Sequence, residues 1–278
     1  MGSFSSSLRA MCIPNETYRT ISLENCIKLS GKYGISLKEV EQKALQEQII
    51  PARYERNLGT LGLEGQLKLL GSRVTVIGCG GLGGVVIEVL ARSGVGEMVL
   101  SDGDVFSDSN LNRQLLSYAG VMGSSKVDVA RERIKSINPA VEVRTFDIAL
   151  SAETGRTILA GSHVAVDALD NNSSRKTLYG LCSHLEIPVV HGAIGGFIGQ
   201  VGTFLPGKPT HLDFFPEGLT EKGAEAIVGV PSFAPYVIGS MEAAEVIKIL
   251  TGVGEVLEEK IFIMDMSRNL TELLPLED

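Results

Sequence analysis

A chain of 278 residues, 44% hydrophobic and 21% charged, has room for one large α/β domain with an appendage and can bury a sizeable core. Its net charge of −8 argues against a general nucleic-acid binder, so any anionic ligand must be met by a few placed Lys and Arg. The longest apolar region, VIGCGGLGGVVIEVLA, is broken by glycines and carries Glu88, which argues against a membrane span; the dispersed Cys12, Cys26, Cys79 and Cys182 contain no C-x-x-C pair and suggest reduced thiols in a cytoplasmic protein.

Residues 1–50 read as a helical N-terminal extension. The opening MGSFSSSLRAMCIPNE lacks the apolar core of a signal peptide; it fits the M-G-x-x-x-[ST] acylation pattern but reads as a disordered tail. Ser36 and Glu39 fit a capping box, Leu37, Val40, Ala44, Leu45 and Ile49 follow at helical spacing, and Pro51 closes the segment. From Arg73 the pattern alternates: strand RVTVI, helix 82–92, strand EMVLS, helix 124–137 stopped by Asn138-Pro139, strand VEVRTF, a short helix near 152–159, strand HVAVD, helix 173–185 and strand PVVHG. Such alternation implies a Rossmann-like parallel sheet with helices on both faces. The rhythm then changes to a strand GQVGTFLP, a Pro- and Gly-rich polar stretch 206–231, a helix 234–250 ended by Gly252, and a late strand KIFIMDM, so the sheet is expected to continue into a mixed or antiparallel part.

VTVIGCGGLGG sets Gly78, Gly80 and Gly83 as G-x-G-x-x-G between a strand and a helix, where backbone N–H groups can meet phosphate. Asp102 ends the next strand nineteen residues after Gly83, placed to accept hydrogen bonds from ribose hydroxyls. To that point a nicotinamide-dependent dehydrogenase fits equally well. The residues beyond Asp102 favour a triphosphate. Asn110, Arg113 and Gln114 stand at i, i+3 and i+4, so one helical turn would put them on one face toward the crevice. Lys126 opens a helix against the local dipole, which asks for an anion nearby. Asp170 comes after the strand HVAVD at the same crevice edge, suited to a magnesium ion on the phosphates. Asp104 reads as orienting Arg113 or a backbone turn, and Asp108 as a solvated loop acid.

These residues, with the stretches RYERN, ARSGVGEMVLSDGD, SNLNRQLL, GSSKVDVARERIKSINP, DALDN, VHGAIGGFIGQVGTF and APYVIGSMEAAEVIKILTG, resemble the ThiF/MoeB/HesA family, relatives of ubiquitin-activating enzymes. The resemblance runs from about Arg53 to the C-terminus and implies an adenylation domain over 51–278. It implies that ATP adenylates the C-terminal carboxylate of a small ubiquitin-like (β-grasp) sulfur-carrier protein ending Gly-Gly, with release of pyrophosphate. By the matching motifs Gly81 and Asp102 would contact the nucleotide, together with Gly78, Gly80, Gly83, Asp104, Ser109, Gln114 and Asn171. Asn110, Arg113 and Lys126 would surround the phosphates, Asp170 would bind magnesium, and Arg56 would reach the neighbouring subunit's ATP site in a homodimer.

The chain departs from that family's pattern in two places. Many relatives carry two C-x-x-C pairs for zinc; here FLPGKPTHLDFFPEG has none, and His211 and Asp213 are a poor substitute, so no zinc is expected. The loop before APYVIGS lacks the cysteine that accepts the activated carrier in some relatives, and Cys79 and Cys182 read as buried, inert thiols. The reaction is therefore expected to stop at the acyl-adenylate, with 206–231 clamping the carrier's tail, Phe214 and Phe215 gripping it or plugging the core. Two alternatives stand beside this reading: adenylation of a peptide C-terminus, with residues 1–50 clamping the peptide, and an inactive scaffold paired with an active homologue.

Overall fold

The computed structural model describes residues 3–14, 17–208, 210 and 225–276. Its first fifty residues form a small unit around their own core of Leu8, Ile21, Cys26, Leu29, Val40, Ala44 and Ile49. Ser3 caps helix α1 (Phe4–Met11), so residues expected to be a disordered tail are ordered there. Ser22 caps α2 (Leu23–Tyr33), which Gly34 ends at φ +66°, and Ser36 with Glu39 forms the expected capping box of α3 (Leu37–Gln46). The unit is not helical alone. Strands β1 (Ile13–Pro14), β2 (Arg19–Ile21) and β3 (Ile49–Pro51) make a three-stranded sheet, β2 pairing antiparallel with β1 and parallel with β3. The α3 helix stops short of Ile49 because Gln48 takes φ +57°, which turns the chain and places Ile49 in a strand.

A 3₁₀ turn (Ala52–Asn57) and α4 (Leu58–Gly71) lead into the main sheet. Its parallel part comprises β4 (Arg73–Ile77), β5 (Glu97–Ser101), β6 (Glu142–Phe146), β7 (Val164–Asp167) and β8 (Val189–Gly195). Between these strands run α5 (Gly81–Ser93), α6 (Lys126–Ile137), α7 (Ala152–Leu159) and α8 (Asn172–Leu185). The antiparallel part adds β9 (Ile198–Phe204), β10 (Lys260–Asp265) and β11 (Leu270–Pro275), the last a strand without a sequence signal of its own. Short α9 (Glu225–Val228) and long α10 (Phe233–Thr251) precede β10. The order β11-β10-β9-β8-β7-β4-β5-β6 is the expected parallel sheet continued by an antiparallel extension. α5, α6 and α10 cover one face through Val86, Ile87, Ala130, Ile134, Ala243 and Val246; α7 and α8 cover the other through Ile158, Leu159, Leu178 and Cys182.

A buried polar knot fastens the N-terminal unit to this body. Glu41 on α3, fully buried, pairs with Arg53 at 3.2 Å and accepts from the Tyr54 hydroxyl at 3.0 Å. The Asn138 amide, at the end of α6, donates to Tyr54 Oη at 2.9 Å and to the Ala91 carbonyl at 3.0 Å, while Arg53 donates to Asn138 Oδ1. Removing one member of such a knot strands the others away from water. Glu41→Ala should therefore cost about 3–5 kcal/mol in urea unfolding; a loss below about 1 kcal/mol would mean that apolar contact alone holds the unit in place.

Candidate active site

Strand order reverses between β4 and β7, and a crevice opens above the carboxyl ends of the strands on either side, as doubly wound sheets provide. It holds a cavity of about 350 Å³. The glycine loop forms its floor. Gly78 has φ +97°, and a Cβ there would lie 2.5 Å from the Ala168 carbonyl oxygen. A Cβ on Gly83 would come within 1.8 Å of the Gly78 carbonyl oxygen. Gly83 thus lies beneath the cavity, letting α5 approach β4, while Gly78, Gly80 and Gly81 line it. No side chain caps α5 at Gly80, so its first-turn N–H groups remain available to an anion.

Asp102 stands at the end of β5 with both oxygens engaged: Oδ2 accepts from Cys79 N–H at 2.7 Å and Oδ1 from Asp104 N–H at 2.9 Å. Burial pushes its carboxyl up against the pull of these donors and Lys126. Lys126 is the first residue of α6, and the anion its position calls for is Asp104, 2.8 Å from Nζ. The lysine side chain is 8% exposed and that of Asp104 73%, so the acid sits at the solvent side of the pair. Of the two roles expected for Asp104, it does not orient Arg113; it does hold local backbone, its N–H donating to Asp102 and its carbonyl accepting from Lys126 N–H at 3.1 Å. Arg113 is fixed instead by its own turn, donating to the Ser109 carbonyl at 2.8 Å and to Asn112 Oδ1 at 2.9 Å.

Asn110, Arg113 and Gln114 do not share one face. A 3₁₀ turn (Asp108–Asn110) turns Asn110 inward, where Oδ1 accepts from Ser107 N–H at 3.0 Å; Arg113 and Gln114 line the cavity and Asn110 does not. Ser109 also lies outside the lining, contributing its carbonyl to Arg113. Gln114 packs against Gly80, with Oε1 buried and without a hydrogen-bond partner among the described residues. Asp170 and Asn171 line the far wall; Asn171 caps α8 through Ser174 N–H at 2.9 Å, and the exposed Asp170 carboxylate has no cation paired to it among the described residues. Arg56 is exposed on the turn before α4 and does not line this chain's cavity.

Sequence reasoning passed over Arg175, which also lines the cavity. The signal was present: Arg175 lies in the first turn of α8, as much opposed to the helix dipole as Lys126. Its anion is Asp167, the last residue of β7, with Nε 3.2 Å from Oδ2. The same carboxylate accepts from the Tyr179 hydroxyl at 2.6 Å and lies 2.8 Å from His191 Nδ1, whose Nε2 meets Gln200 at 3.0 Å. Burial would push Asp167 up, but Arg175, His191 and Tyr179 together hold it well below the usual carboxylate range, while burial pushes His191 down against the pull of Asp167.

The residues present fit a magnesium nucleotide. Three cations, Arg113, Lys126 and Arg175, and the open helix N-terminus line the cavity. Asp170, whose carboxylate accepts only from the Asn171 amide at 3.3 Å among the described residues, suits an ion that takes most of its ligands from phosphate and water. No group of three or more His, Cys, Asp or Glu able to hold a metal occurs among the described residues; His211, Asp213, Phe214 and Phe215 lie outside them. Burial pushes the Cys182 thiol up to about 12 and the Cys79 thiol well above its ordinary value, so neither is a nucleophile at neutral pH. No described helix is long and apolar enough to cross a membrane.

Residues 54–277 match the ThiF family. The SAMP-activating enzyme E1 of Haloferax volcanii is 38% identical over 228 residues, covering 80% of this chain and 84% of the relative. The sulfur carrier protein adenylyltransferase of Thermus thermophilus is 36% identical, covering 77% of this chain and 82% of its own. The molybdopterin-synthase adenylyltransferase of Haemophilus influenzae is 32% identical, covering 80% and 93%. Among solved structures, PaaA superposes with a TM-score of 0.70 at 25% identity over 81% of this chain and 73% of its own. E. coli MccB with MccA superposes at 0.72 and 21% identity over 99% and 83%, which shows a shared fold.

One buried group near the site is electrically misplaced. Glu242 on α10 is fully buried against Gly192, and neither carboxyl oxygen has a hydrogen-bond partner among the described residues. Burial, reinforced by the Asp167 charge, pushes its carboxyl well up. A folded-state value above the unfolded one means that the folded chain holds the extra proton, so the group costs stability as pH rises past the unfolded value. Glu242→Gln should raise Tm by about 2–4 °C at pH 8 for each kcal/mol recovered, with the gain shrinking toward pH 5; a gain independent of pH would show that Glu242 does not titrate on unfolding.

Proposed function

The chain belongs to the ThiF family and is an adenylyltransferase, and from that premise we propose that it uses ATP to adenylate the C-terminal glycine carboxylate of a small ubiquitin-like sulfur-carrier protein. The observation that carries the reading is the convergence of Arg113, Lys126 and Asp170 on one cavity above an uncapped glycine-loop helix. The carrier carboxylate attacks the α-phosphorus, the bond to the β-phosphate oxygen breaks, and pyrophosphate leaves. No side-chain nucleophile is needed, because the substrate supplies it, and no His or Cys is among the lining residues.

Two anions must meet in this step, so fixed positive charge lowers the barrier. Gly80 and Gly81 present backbone N–H groups to phosphate, Arg113 and Lys126 hold the β and γ groups, and Asp102 accepts from the ribose with its remaining lone pairs. Lys126 exchanges its Asp104 partner for phosphate as the nucleotide enters. Asp170 would hold the magnesium ion, which when bound neutralises charge on the transferring and leaving phosphates. Arg56, exposed and away from its own cavity, would complete the site of a second copy in a homodimer.

The carrier's tail enters past Ile194 and Val230, which line the cavity. Support for that path comes from the described end of the 206–231 segment: Asn112 donates to the Val230 carbonyl at 3.1 Å, and Gly196 N–H to the Gly229 carbonyl at 2.8 Å. With no reactive thiol at the cavity, the acyl-adenylate passes to an external sulfur donor or amine. An adenylyltransferase is not an inactive scaffold, and the relatives' names favour a carrier protein over a peptide.

With a Gly-Gly carrier from the same genome, ATP–pyrophosphate exchange should fall about 10²–10³-fold for Arg113→Ala and for Asp170→Ala, and deleting the carrier's last glycine should abolish it. Calorimetry should show saturable heat with magnesium-ATP and none with NAD. Heat with NAD and none with ATP would overturn the reading.

A further inference from the structure

Resting on the reading of Asp170 as the magnesium ligand, we propose that Asp167 and Arg175 form a clamp on the Leu169 peptide that positions Asp170, with Arg175 a positioning residue and not a phosphate ligand. The two residues hold Leu169 by both of its backbone polar groups, one in each of the peptide units that flank its Cα. Leu169 N–H donates to Asp167 Oδ1 at 3.2 Å, Arg175 Nη2 donates to the Leu169 carbonyl at 2.5 Å, and the two side chains pair with each other. The flanking groups are fixed as well. Ala168 N–H donates to the Ile77 carbonyl at 3.0 Å, the Ala168 carbonyl lies against Gly78, and Asn171 caps α8. Every neighbour of Asp170 is thus tied down, while its own carboxylate faces the cavity.

Stability does not account for this construction. Replacing a buried ion pair by packed apolar residues is often neutral or stabilising, and Arg175 also opposes the dipole of α8. What the cluster provides is direction. Tyr179 and His191 saturate Asp167 Oδ2, and Gln200 fixes the far nitrogen of His191, so the carboxylate cannot swing away from Leu169 and Arg175. Magnesium requires near-ideal octahedral geometry. Of the lining carboxylates, Asp102 is engaged by two backbone N–H groups and Asp104 pairs with Lys126, which leaves the placement of Asp170 to set that of the ion.

The test is a metal titration, read by binding and not by turnover. Mn²⁺ is titrated into the full-length protein saturated with ATP, with free ion monitored by electron paramagnetic resonance; ATP affinity is measured separately in EDTA. Arg175→Ala should raise the Mn²⁺ half-saturation about 10-fold or more while leaving ATP affinity in EDTA within about twofold of wild type. Arg175→Ala/Asp170→Ala should bind Mn²⁺ no more weakly than Asp170→Ala alone, because the arginine acts through the aspartate. Tyr179→Phe, which keeps the ring and removes one donor to Asp167, should shift Mn²⁺ uptake in the same direction by a smaller factor, and keeps the idea testable should Arg175→Ala fold poorly. Weakened ATP binding in EDTA for Arg175→Ala would overturn the proposal by making Arg175 a direct phosphate ligand, and so would additive loss in the double variant. If Asp170→Ala leaves Mn²⁺ uptake unchanged, the magnesium role of Asp170 falls and the clamp with it. If Asp170→Ala weakens uptake and neither Arg175→Ala nor Tyr179→Phe does, only the clamp falls.

Discussion

The site depends on how closely three stretches of backbone approach one another. Gly78 and Ala168 directly follow neighbouring strands and Gly83 lies in the first turn of a helix, and the one side chain among them is the Ala168 methyl. Their contact pulls the N-terminus of α5 down onto the sheet and aims it into the crevice. It also sets the wall that carries Asp170 directly beside the wall that carries the glycine loop. A methyl group at Gly83 would overlap the Gly78 carbonyl oxygen, and the two walls would part. Nucleotide recognition here is a matter of backbone geometry before it is a matter of side chains.

Charge is then placed sparingly. The chain is acidic overall, and two of the three cations lining the cavity stand where helices begin, each anchored by an acid. Lys126 with Asp104 and Arg175 with Asp167 are two versions of that device. They differ in depth. Asp104 is largely exposed, as the proposed exchange of its lysine for a phosphate requires, whereas Asp167, at the end of β7, is fully buried with four partners.

Much of this was legible in the sequence for a physical reason. The alternation of apolar strands with helices reported the parallel sheet, and the glycine spacing with Asp102 reported the crevice. Gly78, Gly80, Gly81, Asp102, Arg113, Gln114, Lys126, Asp170 and Asn171 all line the cavity as expected. The failures share a cause as well. Asn110 was misplaced because i, i+3, i+4 spacing presumes a continuing helix, and a 3₁₀ turn puts its side chain elsewhere. The three-stranded sheet of the N-terminal unit has strands of two or three residues, too short for an alternating pattern to declare itself. Arg175 and Asp167 meet only through the fold, and periodicity within either segment says nothing about the other.

The 12-residue helix α6 spans about 18 Å and is held at both ends. Its first residue, Lys126, faces the cavity; its cap, Asn138, is bonded to Arg53 and Tyr54 of the linking 3₁₀ turn, and through them to Glu41 of the N-terminal unit. The region recognisable by family begins at residue 54, inside that knot. The evolutionary boundary and the mechanical one therefore do not coincide: a chain cut where the similarity starts would keep Tyr54 and the Ala91 carbonyl as partners of Asn138 but lose Glu41 and Arg53, loosening the end of the rod opposite Lys126.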